Sequence, residues 1–178
     1  MNVFISGGCK NGKSYQAQRI AKTMACEMRR PLYYIATMIP HDEEDVYRIK
    51  RHLSEREGWG FETLEQGKDL RALLEKEGVH KKGVFLMDSV TALLANEMFD
   101  DAGNVDEGAP LRVKEDVVAF AGSTGNTVFV SDYIYGDGAE YHELTEMYRR
   151  GLAMIDRALA LCCDRVIEVS AGIKEIWK

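Results

Sequence analysis

The sequence predicts an α/β three-layer sandwich: a mostly parallel sheet with helices on both faces, in one domain over residues 1–178. Two observations carry this. Short apolar runs alternate with amphipathic helical stretches along the chain, the pattern of βαβ units. The runs at 2–6, 32–37, 84–88 and 127–131 are nearly continuous in apolar residues, as in strands buried on both faces. Of the residues, 46% are hydrophobic and 29% charged, the proportions of a globular domain with a real core.

The elements follow in order. Residues 2–6 are the first strand. Residues 15–28 form a helix with Ala17, Ile20, Ala21, Met24 and Ala25 at helical spacing, stopped by Arg29-Arg30-Pro31. After the strand at 32–37, Asp42 is a candidate N-cap for a charged helix over 43–56, with Val46, Ile49 and Leu53 on one stripe. Gly58-Trp59-Gly60 breaks it, and 61–64 alternates as a short strand. Residues 66–78 are predicted helical, with Leu70, Leu73 and Leu74 inward. The strand at 84–88 leads to a helix over 90–99. Two glycines and four acids predict a mobile loop at 100–108, which can also be read as an interaction surface. A helix at 111–121, the strand at 127–131, a long helix at 140–162 and strands at 166–169 and 173–177 complete the chain. Ligands in such sheets sit outside the carboxyl ends of the strands. That rim holds 7–14, 37–41, Asp88 to Ser89 and 132–138.

The octet Gly7-Gly8-Cys9-Lys10-Asn11-Gly12-Lys13-Ser14 joins the first strand to the first helix. It reads G-x-x-x-x-G-K-S, a phosphate-binding loop in its required strand–loop–helix setting. Gly7 and Gly12 let the backbone turn its N–H groups onto a phosphate. Lys13 places a positive charge between the β- and γ-phosphates, Ser14 offers a hydroxyl to Mg²⁺, and the helix start adds its positive dipole end. The expected architecture is therefore a P-loop nucleotide-binding domain of the RecA-like kind, with GTP or ATP as substrate.

The net charge of −6 argues against a broad nucleic-acid or anionic-membrane surface. No run approaches the roughly 18 apolar residues of a membrane span. The first residues lack a charged leader, so a cytoplasmic protein is expected. Four cysteines form no C-x-x-C pair and read as buried or incidental thiols, although Cys9, beside the phosphate site and Lys13, is a candidate reactive thiol.

Asp88 ends an apolar strand, where P-loop enzymes keep the acid that binds Mg²⁺. It can also be read as the N-cap of the next helix. Of the four histidines, His80 and His142 read as surface residues, His41 lies on the rim and His52 on the charged helix.

The order of motifs resembles the family of bifunctional adenosylcobinamide kinase/adenosylcobinamide-phosphate guanylyltransferases over nearly the whole length. The matching residues are the octet, Tyr34 to Thr37, Arg48-Ile49 with His52, Trp59 with Thr63 and Glu65, Asp88 with Thr91 and Asn96, Val130-Ser131, and Val169-Ser170 with Gly172. The resemblance implies that His52 is guanylylated by GTP, that Thr37, Glu65 and Asp88 join the octet in nucleotide binding, and that the acceptor is a corrinoid. It also implies a homo-oligomer, a trimer. The chain departs from the family at Lys10-Asn11, where the relatives carry Arg-Ser. It departs again at 131–138, where they carry Ser-Asn-Glu-Val-Gly and then a proline-containing loop. Two other readings stay open: a P-loop kinase with a different acceptor, and a nucleotide-sensing protein with little turnover.

Overall fold

The computed structural model describes residues 1–40 and 42–178, the side chains of residues 48, 52 and 55 excepted. Among the described residues the chain runs β1 (Val3–Gly7), α1 (Lys13–Met28), β2 (Leu32–Ala36), α2 (Glu43–Glu55), β3 (Glu62–Glu65), a short 3-10 helix (Leu70–Glu75), β4 (Val84–Asp88), α3 (Val90–Met98), α4 (Ala109–Thr124), β5 (Thr127–Val130), α5 (Glu143–Cys162), β6 (Arg165–Ser170) and β7 (Ile173–Ile176). The sheet order is β3-β2-β4-β5-β1-β6-β7. Strands β1 to β6 are parallel, and β7 folds back antiparallel on β6 with Ser170 opposite Ile173.

Because strand side chains alternate faces, the apolar runs divide between two cores. Val3, Ile5, Leu32, Tyr34, Val84, Leu86, Val128 and Val130 pack with Ala17, Ala21, Met24 and Ala25 of α1. Phe4, Tyr33, Ile35, Phe85, Met87 and Phe129 point the other way and pack with α3, α4 and α5. Small alanines bring α1 close to the sheet, while Tyr33 stacks on Phe85 at 5.0 Å between ring centroids on the thicker side. The three-layer, mostly parallel expectation is met.

Local chemistry explains most element ends. Asp42 accepts a hydrogen bond from the Asp45 N–H at 2.8 Å and caps α2. Arg29 takes a left-handed conformation at the end of α1, and the Arg30 N–H reaches back to the Ala25 carbonyl. Pro110 opens α4 and Gly125 closes it.

Two expectations fail, at 66–78 and at 100–108. The stretch 66–78 yields only the 3-10 helix, started by Asp69 with φ +48°. Leu70, Leu73 and Leu74 are buried as expected, and three leucines at that spacing suit a single tight turn as well as an α-helix. The stripe on α2 does not enter the core: Val46 is 40% and Leu53 46% exposed. The residues at 100–108 are held in place. Asp100 accepts from Asn104 through both backbone and side chain, Phe99 bridges Val105, and Arg112 ties Asp106 to Glu97. Those acids cap turns and pair with Arg112, an arrangement composition does not reveal. No helix of the described residues is long and apolar enough to cross a membrane.

Candidate functional site

Strand β5 lies between β1 and β4, so three strand ends bring the site together. Ile5 pairs with Val130, and Val130 with Asp88, which puts the octet, the segment after β5 and Asp88 on one rim.

The octet is shaped by its backbone. Gly7 has φ +153°, and a Cβ there would lie 2.3 Å from the Val169 carbonyl oxygen of β6. Only glycine permits that approach. Gly12 is left-handed with φ +91° and opens α1 without a side-chain cap; of the first-turn N–H groups, that of Lys13 goes to Asn11 and that of Gln16 to the Gly12 carbonyl, which leaves those of Ser14 and Tyr15 for a ligand. Lys10 also has positive φ, +55°. The Asn11 amide donates to the Val169 carbonyl and its oxygen accepts from the Lys13 N–H at 3.3 Å, so this residue ties the loop to β6. Gly8, Cys9 and Lys10 are exposed along the loop, and Cys9 is a free thiol there.

Lys13 is only 5% exposed. Its ammonium donates to the Gly8 carbonyl at 2.7 Å and to Asp132 Oδ1 at 2.8 Å. An ammonium has three donors, so these two leave one for a phosphate oxygen. Asp132 follows β5, and its N–H is held by Thr91 Oγ1 at 2.9 Å. Asp132 was expected on the rim, but nothing in the sequence pairs it with Lys13, 119 residues away. The parallel pairing of β1 and β5 brings them together.

Asp88 ends β4, but it does not cap α3. Ser89 does, accepting from the Ala92 N–H at 3.2 Å. The capping reading of Asp88 is therefore corrected by one residue. Thr37 is fully buried: its hydroxyl donates to the Ser89 carbonyl at 2.9 Å and accepts from the Ser89 N–H at 2.8 Å. Asn96 donates to the Thr37 and Gly67 carbonyls. Thr37 thus latches the end of β2 to the end of β4. Glu65 is exposed at the end of the edge strand β3, paired with Ala36. Three strands separate β3 from β1, so Glu65 stands roughly 19 Å along the sheet from the octet. His41 and the His52 side chain lie outside the described residues.

Below the rim is a network that was not expected. Asp156 of α5 is 3% exposed, and Ser131 and Tyr135 donate their hydroxyls to its Oδ2 at 3.0 and 2.9 Å. Its Oδ1 is buried with no partner. Burial pushes its pKa up to about 7, against the two hydroxyl donors, and Asp132 adds to the rise. Burial likewise pushes the Tyr148 hydroxyl up, with Asp132 and Asp156 adding, while that hydroxyl donates to the Thr91 carbonyl at 2.8 Å. Arg149, 7% exposed, gathers the segment after Asp132: it donates to the Ile134 carbonyl at 3.1 Å, pairs with Asp137 and Glu146, and lies under the Tyr141 ring. A buried arginine and a buried aspartate within one amphipathic helix were the available signal. Sequence spacing does not say which loop they face.

The family model for cobinamide kinase / cobinamide phosphate guanyltransferase matches residues 3–176. The chain belongs to this family. Among solved structures, the flagellar accessory protein FlaH from Methanocaldococcus jannaschii superposes with a TM-score of 0.50 at 17% identity, covering 99% of this chain and 77% of that one. A solved ATPase domain superposes with a TM-score of 0.53 at 10% identity, covering 94% of this chain and 68% of that one. These likenesses establish the P-loop, RecA-like fold. No curated protein matches. Family and fold together make the chain a nucleotide-dependent enzyme of cobalamin biosynthesis.

Proposed function

We propose that this enzyme phosphorylates the hydroxyl of adenosylcobinamide and then transfers GMP from GTP to the product through a guanylylated His52. The observation that carries the reading is the intact phosphate loop: a buried Lys13 ammonium with one donor left, inside a chain matched to the family from 3 to 176. In the first reaction, the octet's N–H groups and Lys13 hold the β- and γ-phosphates of ATP or GTP and offset charge as the γ-phosphoryl group moves. In the second, a neutral His52 nitrogen attacks the α-phosphorus of GTP, an N–P bond forms and pyrophosphate leaves. The phosphate of the cobinamide then takes the GMP.

The residues present suit Mg²⁺. Ser14 on the first turn of α1 and Asp88 at the end of β4 are both half-buried oxygen donors on the rim. Among the described residues no group of three or more acidic, histidine or cysteine side chains forms a metal cage. A hydroxyl and one carboxylate beside a triphosphate are the donor set such a magnesium site uses. Held by Ser14 and Asp88, Mg²⁺ would supply positive charge that offsets the charge of the triphosphate. Thr37 supports the rim from behind, and Glu65 stands at its far end from the octet.

A second reading, a kinase with another acceptor, draws on 132–138. That segment departs from the family's sequence and is built on Arg149. Incubation with α-phosphate-labelled GTP and Mg²⁺ tests the leading reading. The expected result is an acid-labile, base-stable label that His52→Ala abolishes. Equal label on His52→Ala overturns the histidine step. No phosphorylation of adenosylcobinamide, with turnover on another alcohol, favours the second reading.

A further inference from the structure

We infer that Asp132 is the proton acceptor for the alcohol that receives the γ-phosphoryl group. This rests on the kinase half of the proposed function. The Asp132 carboxylate is bonded to the ammonium that, in a phosphate loop, holds the β- and γ-phosphates. Two acceptors at about 2.8 Å on a tetrahedral ammonium stand roughly 4 to 5 Å apart. A hydroxyl oxygen fits between them, within hydrogen-bond reach of the carboxylate and about 3 to 3.5 Å from the γ-phosphorus. Asp132 is fixed for this role. Its N–H is held by Thr91, and its side chain keeps 30% of its surface open towards the rim.

The other described acids on this side suit the role less well. Asp156 is closed off at 3% exposure, with Ser131 and Tyr135 on one oxygen. Asp88 lies on β4, beyond β5 from the octet, and is the candidate metal ligand. The next residue, Tyr133, is 49% exposed and carries no carboxylate.

In the step, the alcohol oxygen forms a bond to the γ-phosphorus as its proton passes to Asp132 Oδ1. The bond from the γ-phosphorus to the bridging oxygen breaks, and its electron pair stays on the leaving nucleoside diphosphate. Asp132 returns the proton to solvent through its open side. Lys13 keeps the carboxylate aimed until the alcohol arrives.

The test compares wild type, Asp132→Asn and Asp132→Ala for single-turnover phosphorylation of adenosylcobinamide by ATP, with nucleotide affinity measured separately. Both variants are expected to lose about 10²- to 10³-fold in the phosphoryl-transfer rate. Nucleotide Kd should hold within about threefold or tighten, because a negative charge beside the triphosphate is gone. Added formate should restore at least about tenfold to Asp132→Ala and nothing to Asp132→Asn, whose amide fills the space. A transfer rate within threefold of wild type, or a loss explained by weaker nucleotide binding with no formate rescue, overturns the assignment. If wild type itself leaves adenosylcobinamide untouched, the kinase reading fails. The same comparison on Mg²⁺-dependent nucleotide hydrolysis, with water as acceptor, then decides Asp132 separately.

Discussion

Residues 7–14 and 131–141 face each other across the Lys13 ammonium and are fixed by different means. The first holds its shape largely with backbone: Gly7 against the Val169 carbonyl and Gly12 left-handed, with Asn11 and Lys13 as side-chain ties. The second holds its shape with side chains that reach up from α5: Arg149 under Ile134 and Asp137, and Asp156 under Ser131 and Tyr135. A loop built on backbone geometry tolerates few residues and keeps one job, the binding of phosphate. A loop built on side chains beneath it can change its exposed residues while the anchors keep its course.

Gly7→Ala should break the first loop with the largest effect. The added methyl meets backbone, so no rotamer relieves it. Nucleotide affinity, measured by titration, is expected to fall about 100-fold, an effect of about 2.7 kcal/mol, with a smaller loss of fold stability of about 1–3 kcal/mol. Arg149→Met should do the reverse. It removes a buried fork of donors and is expected to destabilise the fold by about 2 kcal/mol in urea unfolding and to open 132–141 to proteolysis. Nucleotide Kd should stay within about threefold, because the Asp132 N–H is held independently by Thr91. An affinity loss matching that of Gly7→Ala would show that the two loops act as one unit.

Asp156→Asn should leave the phosphate loop untouched and give the most diagnostic effect. The folded pKa of about 7 lies above the ordinary value of 3.8, so the native state holds a proton that the unfolded chain has released. Wild-type stability should therefore fall as pH rises from about 4 to about 7, and level off above. Between pH 5 and 8 the loss is expected to be about 2 kcal/mol. The variant, which keeps an acceptor for Ser131 and Tyr135, should lack that slope and be the more stable protein at pH 8. Parallel pH dependence in the two proteins would mean that Asp156 is ionised in the fold.

Expectations succeeded where the determining contacts are close in sequence. The octet, the Asp42 cap and the two-faced apolar strands follow from spacing alone. They went astray where distant partners decide. The composition of 100–108 suggested mobility, but Asn104 bonds Asp100 and Arg112 pairs with Asp106. Asp88 and Ser89 are adjacent and both able to cap a helix, and only the geometry of the strand end assigns the cap to Ser89.

By itself the sequence determined the parallel α/β class, the position of the phosphate loop and the rim on which the functional residues gather, because backbone periodicity and glycine conformation are local properties. It determined family membership through the order of its motifs. The tertiary structure alone decided what Lys13 touches and why burial pushes the Asp156 pKa up. Asp132 reaches Lys13 because β5 inserts beside β1, and Asp156 is buried because α5 lies beneath that strand's end. Those contacts join residues far apart in the chain, and the charge that each one meets exists only once the sheet has formed.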